Sequence, residues 1–146
     1  MLVVLKLSFW VSLLFTCRPI DPEISVKIID SVEYQESRSK IFVRSTKCCH
    51  GLMQIHELYS PVPKPLLHVP FINRIAGVKA LRYWKRRSRN NMTYALAAYN
   101  CGNKGLYGEC GMGYANSVLS RNLRYKRYFI PECSFLSQIL KLYIER

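Results

Sequence analysis

One carboxylate in this sequence stands where an acid catalyst would. Ile24, Ile28 and Val32 recur every four residues, and the next position on that stripe is Glu36. A carboxyl group that closes an apolar helical stripe faces a core or a cleft. Partial desolvation there disfavours the charged form and raises the pKa. A general acid working near neutrality needs such tuning, to a pKa of roughly 6–7. The chemistry served is cleavage of a bond whose leaving oxygen must be protonated. A solvated glutamate just past a helix end would fit the same periodicity.

Other reactive side chains carry less. The six cysteines are Cys17, Cys48, Cys49, Cys101, Cys110 and Cys133. Cys101 and Cys110 flank a glycine-rich loop that a disulfide could staple once the chain is exported. Connectivity does not follow from sequence. A zinc site from Cys48, Cys49, His50 and His56 is not expected, because adjacent cysteines miss the usual ligand spacing. No metal or cofactor is called for.

The elements that must position Glu36 read as helices. The 146 residues suit one domain, and 49% hydrophobic residues is a globular composition. Asp21 can cap a helix whose first turn holds Pro22 and Glu23 and which runs to about Ser37. A loop follows to His50, with a short ribbon around Ile41 to Arg44 as an option. Gly51 opens a short apolar helix through about Leu58. Pro61, Pro63 and Pro65 enforce an extended connection. A third helix spans about Phe71 to Arg87, with Ile72, Ala76, Ala80 and Tyr83/Trp84 as its apolar face. A fourth covers Thr93 to Tyr99 and ends at Gly102. A loop over Cys101 to Gly113, a helix from Tyr114 and a last helix from Pro131 complete an all-α reading, α+β at most, with long cleft-lining loops.

Met1 to Thr16 is the most hydrophobic stretch, broken by Lys6. It is shorter than the roughly 20 residues that span a bilayer. Residues 1–19 are therefore expected to be a secretory signal or membrane anchor, and residues 20–146 the mature domain. A lipoprotein anchor at Cys17 and a buried first helix of a cytosolic domain are the alternatives. Net charge is +13, with Lys/Arg clusters at Lys79 to Arg89 and Arg121 to Arg127. That charge suits a polyanionic partner: nucleic acid, an anionic membrane or an envelope. A solvated face is the plain reading of each cluster. No groove-reading motif appears, so nucleic acid is not expected.

The local sequence around Glu36 adds a resemblance. Glu36-Ser37 is followed by Ser45 nine residues after the glutamate, and Gly51-Leu52-Met53-Gln54 begins six residues beyond that serine. Asn73-Arg74-Ile75-Ala76-Gly77, then Ala97-Ala98-Tyr99-Asn100-Cys101-Gly102, then Gly113-Tyr114 with Val118-Leu119, follow in order. This series resembles the soluble lytic transglycosylase family, a branch of the lysozyme-like superfamily. Three positions depart from the family pattern. Ser39 stands where an aromatic is usual, Cys48-Cys49-His50 replaces Gly-Ala-x, and Ala80 replaces the aromatic of the third helix.

The resemblance implies a lysozyme-like, lytic-transglycosylase domain acting on peptidoglycan glycan strands. Glu36 would protonate the oxygen between N-acetylmuramic acid and N-acetylglucosamine, then act as base on the muramoyl 6-hydroxyl to give a 1,6-anhydro product. Ser37 would hold the glutamate and Ser45 would bond near the N-acetyl group. Met53 and Gln54 would line the glycan cleft, Tyr99 and Asn100 would shape it, and Tyr114 would hydrogen-bond Glu36. Activity would lie in the periplasm or cell envelope, with anionic envelope polymers as further partners of the basic surface. A secretion or conjugation machine, or a phage that pierces its host, would suit such a domain.

Two rival functions stand beside it. A lysozyme-type hydrolase needs a second carboxylate across the substrate. Glu33 lies on the same helix as Glu36, Glu57 is expected on the exposed side of the second helix, and Glu109 sits in a loop. A non-enzymatic cationic protein that binds membranes or envelopes through Lys79 to Arg89 is the other.

Overall fold

The structure, a computed structural model, describes residues 21–121. The leader expected over 1–19, the helix from Pro131, Cys17, Cys133 and the second basic cluster beyond Arg121 lie outside the described residues. Among those described there are four α-helices, two 3-10 helices and one two-stranded hairpin. No helix among them is long and apolar enough to cross a membrane.

Helix α1 spans Val26–Ser37. It begins later than Asp21 suggests. Asp21 Oδ1 accepts from the Glu23 and Ile24 amides at 2.7 and 2.8 Å, which closes a turn, and Ser25 is the cap of the helix itself. Ile24 is still wholly buried. The helix stops after Ser37 because Arg38 and Ser39 both take positive φ, 55° and 59°. Glu36 is thereby left in the last turn.

The segment expected as a second helix is a hairpin instead. Strands β1 (Cys49–His50) and β2 (Ile55–His56) pair antiparallel, with Cys49 opposite His56 and His50 opposite Ile55. Gly51 at φ +74° and Gln54 at φ +48° turn the chain between them. Gly51 is required there: a β-carbon would run into the Asn73 side chain and Leu67 O. The ribbon expected at Ile41 to Arg44 is reduced to one bridge, Arg44 to His50. After the prolines, η1 (Lys64–His68) carries Pro65 in its first turn, so the connection is only partly extended.

Helix α2 (Pro70–Arg87) starts on a proline and ends on Lys85, Arg86 and Arg87, charges that suit its C-terminal dipole. Its buried face is Phe71, Arg74, Val78 and Leu81, together with Asn73, Ala76 and Gly77. The expected stripe through Ala80 and Tyr83 is rotated away from this, and Tyr83 is exposed. The cause is that Asn73 and Arg74, polar by type, point inward to partners described below. Helix α3 (Met92–Cys101) is capped by Asn91 through the Thr93 and Tyr94 amides and ends at Gly102. The loop expected after it is largely η2 (Gly102–Tyr107), and Cys101 and Cys110 are joined as a disulfide. Helix α4 spans Met112–Ser120.

Helix α3 packs on α2, η2 and α4, and α4 also packs on α1. The core between them includes Ile29, Val32, Leu52, Met53, Leu67, Leu81, Leu96 and Val118. Burying each large apolar side chain contributes roughly 1.5–3 kcal/mol. Leu52, Met53 and Ile55 tie the hairpin into the same core.

Candidate active site

Helices α1 and α4 bring Glu36 and Tyr114 together. The Tyr114 hydroxyl donates to Glu36 Oε1 at 2.7 Å, across 78 residues of sequence. The adjacent residue Gln35 fixes the register of the two helices: its Oε1 accepts from Ser117 Oγ at 3.1 Å and from Arg121 Nη2 at 2.7 Å. Burial raises the Glu36 pKa, and the Tyr114 hydrogen bond pulls in the opposite direction with less effect. Burial, and next the Glu36 charge, push the Tyr114 hydroxyl far above its ordinary value, so it remains a donor.

Tyr99 links this pair to the hairpin. Its hydroxyl donates to Met53 O at 2.7 Å. Burial raises its pKa well above 10, and the Glu36 charge adds to that. Gln54 Nε2 donates to Gly51 O at 2.8 Å and Val43 O at 3.2 Å, which leaves its amide oxygen to accept. Ser45 Oγ accepts from the Lys47 and Cys49 amides at 3.2 and 3.1 Å. It closes that turn and keeps its own proton to donate.

Two of the expected side chains turn inward, and a third is exposed. Ser37 is buried and donates to Glu33 O at 3.0 Å, inside its own helix, so it does not hold the Glu36 carboxyl. The Met53 side chain is wholly buried and packs on Gly77, where a β-carbon would collide with its sulfur. It lines the core, and its backbone carbonyl accepts from Tyr99. Asn100 is exposed at the end of α3.

Two residues had no assigned role in the sequence. Asn73 is wholly buried and bridges α2 to the hairpin: Oδ1 accepts from Met53 N at 2.8 Å, and Nδ2 donates to His50 O at 2.8 Å and Leu67 O at 2.7 Å. Arg74 Nε donates to Glu33 Oε1 at 2.6 Å in a buried pair behind α1. Both lie in the Asn73-to-Gly77 block, which was the available signal.

Other carboxylates are engaged or exposed. Glu33 is in that buried pair. Glu57 is not on a helix; it meets His50 and Lys64, and these hold its carboxyl down at about 2. Asp21 pairs with Arg82, and Glu23 with Arg86. Glu109 is exposed after η2. Among the described residues no group of three or more His, Cys, Asp or Glu side chains is placed to hold a metal ion. The first basic cluster is partly tied down: besides Arg82 and Arg86, Lys85 Nζ donates to Glu23 O and Arg87 lies over the Tyr83 and Trp84 rings.

A search of curated proteins gives no match. Among solved structures, the 70 kDa soluble lytic transglycosylase of Escherichia coli is similar, with a TM-score of 0.55 and 23% sequence identity. The match covers 66% of this chain and 21% of that one, so this chain corresponds to about a fifth of that protein's length. At that identity the likeness is one of fold. The family model described as the Transglycosylase SLT domain matches residues 20–106, more than half of the sequence. A helical domain with Glu36 in the last turn of α1, under the Tyr114 hydroxyl, thus belongs to the transglycosylase SLT domain family.

Proposed function

We propose that this chain cleaves peptidoglycan glycan strands at the β-1,4 bond between N-acetylmuramic acid and N-acetylglucosamine, leaving a 1,6-anhydromuramoyl end. The observation that carries it is the half-buried Glu36 carboxyl, raised in pKa by burial and held by Tyr114, with Glu33 and Glu57 paired elsewhere and Glu109 exposed. Glu36 starts protonated. It gives its proton to the bridging oxygen as the bond to muramoyl C1 breaks. The N-acetyl carbonyl of the same sugar supports the electron-poor C1. Glu36, now a carboxylate, takes the proton of the 6-hydroxyl, and O6 closes on C1. Glu36 ends as it began, and no water is consumed. A single carboxyl doing both steps removes the need for a second acid, which hydrolysis with either stereochemistry normally requires.

Tyr114 orients the carboxyl, and Tyr99 fixes the hairpin beside it. Gln54 and the Ser45 hydroxyl supply hydrogen bonds for the sugar amides. The basic surface would draw the domain to anionic envelope polymers in a salt-sensitive way. Export by the N-terminal segment, with residues 20–146 as the mature domain, puts the activity in the periplasm or envelope.

Digestion of purified peptidoglycan followed by mass spectrometry tests this. Anhydro ends, each lighter by one water than a reducing end, are expected. Glu36→Gln should lower the rate by about 10²- to 10⁴-fold. Reducing ends instead would point to hydrolysis, and undiminished cleavage by the variant would remove Glu36 from the chemistry.

A further inference from the structure

Cys48-Cys49-His50 occupies the place of the resembled family's Gly-Ala-x, and His50 there is wholly buried. Both of its ring nitrogens meet polar atoms. Nε2 lies 2.9 Å from Glu57 Oε2, and Nδ1 lies 3.2 Å from His68 Nε2. His68 Nδ1 lies 3.4 Å from Ile41 O. The relay therefore runs from the turn after β2 through β1 and η1 to the segment after α1.

Counting donors gives what the full set of contacts requires. The Glu57 carboxylate and the Ile41 carbonyl only accept, so His50 Nε2 and His68 Nδ1 must both donate. The contact between the rings needs one proton more. All three contacts made at once would place three protons on the two imidazoles, opposite Glu57. The other groups around it are Lys64, whose Nζ is 3.1 Å from Glu57 Oε2, the Phe42 ring stacked on His68, and Arg44, which bridges His50 through backbone. From α2 the neutral Asn73 amide meets His50 at its carbonyl.

We propose that His50 and His68 are positioning residues, whose extra proton ties residues 41–43 to the hairpin and so sets Gln54 for glycan. The link is direct. Val43 O accepts from the Gly51 amide at 2.9 Å and from Gln54 Nε2 at 3.2 Å, while His68 holds Ile41 two residues earlier. Without the third proton, two lone pairs face each other, either between the rings or at Ile41 O. The 41–43 segment then loosens, and the Gln54 amide loses its second anchor. Glycan binding weakens when that proton is lost.

This rests on the glycan-cleaving reading, and the test separates the two. Binding of an N-acetylglucosamine tetramer to the Glu36→Gln protein, which takes the Glu36 titration out, is measured by calorimetry from about pH 5 to 8, where histidine exchanges its proton. Affinity should fall about three- to tenfold, the size of one hydrogen bond. A second protein carrying Glu36→Gln with His68→Gln, which donates but does not titrate, should lose that pH dependence and keep its circular dichroism. Nitrogen-15 spectra should show His68 doubly protonated and His50 protonated at Nε2 at the acidic end, with Val43 and Gln54 amide shifts following the His68 titration. Equal pH dependence in both proteins overturns the relay. A tetramer that binds at no pH counts against the glycan reading, and the spectra then still decide: amide shifts that ignore the His68 titration overturn the relay on their own.

Discussion

The two sides that meet at Tyr99 are held together by different forces. On one side, α1 and α4 present Glu36 and Tyr114 from regular helices packed through Ile29, Val32 and Val118. On the other, residues 41–69 contain only two-residue strands and a five-residue 3-10 helix. That side is held by side chains reaching backbone: Asn73, Gln54, Ser45 and His50 with its partners. Apolar packing is non-directional and tolerates exchange at constant volume. A buried carbonyl or amide that loses its partner has no such substitute. The helical side should therefore accept polar-to-apolar replacement, and the hairpin side should not.

The buried pair Glu33–Arg74 gives the sharpest contrast. Arg74→Met alone leaves the Glu33 carboxylate uncompensated behind α1 and should destabilise the protein by about 3–5 kcal/mol in urea unfolding. Adding Glu33→Leu should return stability to the wild-type value or raise it by about 1–4 kcal/mol. A double variant as weak as the single one would mean that the helical side too depends on directional polar contacts.

Asn73 supplies the matching test on the hairpin side. Asn73→Leu is close in size and takes the Asn73 partner from Met53 N, His50 O and Leu67 O. Each orphaned group costs about 1–3 kcal/mol. Unlike the pair above, no second apolar substitution recovers this, because the unmatched groups belong to the backbone. Amide exchange should rise at residues 50–54 before it rises in α3. Equal loss of protection in both would break the distinction.

The same division governs what could be read from sequence. Helices α2 and α3 fall within a few residues of where periodicity and capping place them, because their ends are set by Pro70, Asn91 and Gly102 locally. Glu36 was legible from the stripe through Ile28 and Val32, and from the residues around it. The hairpin was not. Gly51 to Leu58 is apolar enough for a helix, and two-residue strands are too short to show alternation. Its turn depends on a positive φ at Gln54 and on an amide twenty residues away on α2. The phase of α2 is hidden for the related reason that its inward face carries Asn73 and Arg74. Likewise the resemblance sets Met53 at the cleft and Ser37 against Glu36, yet the Gly77 gap and the Glu33 carbonyl draw them inward.

The smallest effect comes at one of the contacts where the helical side also uses a directional bond. Tyr114→Phe removes one hydroxyl and little volume, so stability should barely change. Glu36 must be protonated to begin the reaction, so kcat/KM should be full below its pKa and fall as pH rises through it. Burial places that fall above the ordinary carboxylate range. The Tyr114 hydrogen bond favours the ionised form and works against burial. Its loss should therefore shift the alkaline fall of kcat/KM to still higher pH, while kcat drops by about tenfold or less through looser orientation. A shift toward lower pH would mean that Tyr114 stabilises the acid and not the carboxylate, and the hydroxyl would then be a proton donor's support in the first step rather than a brake on its pKa.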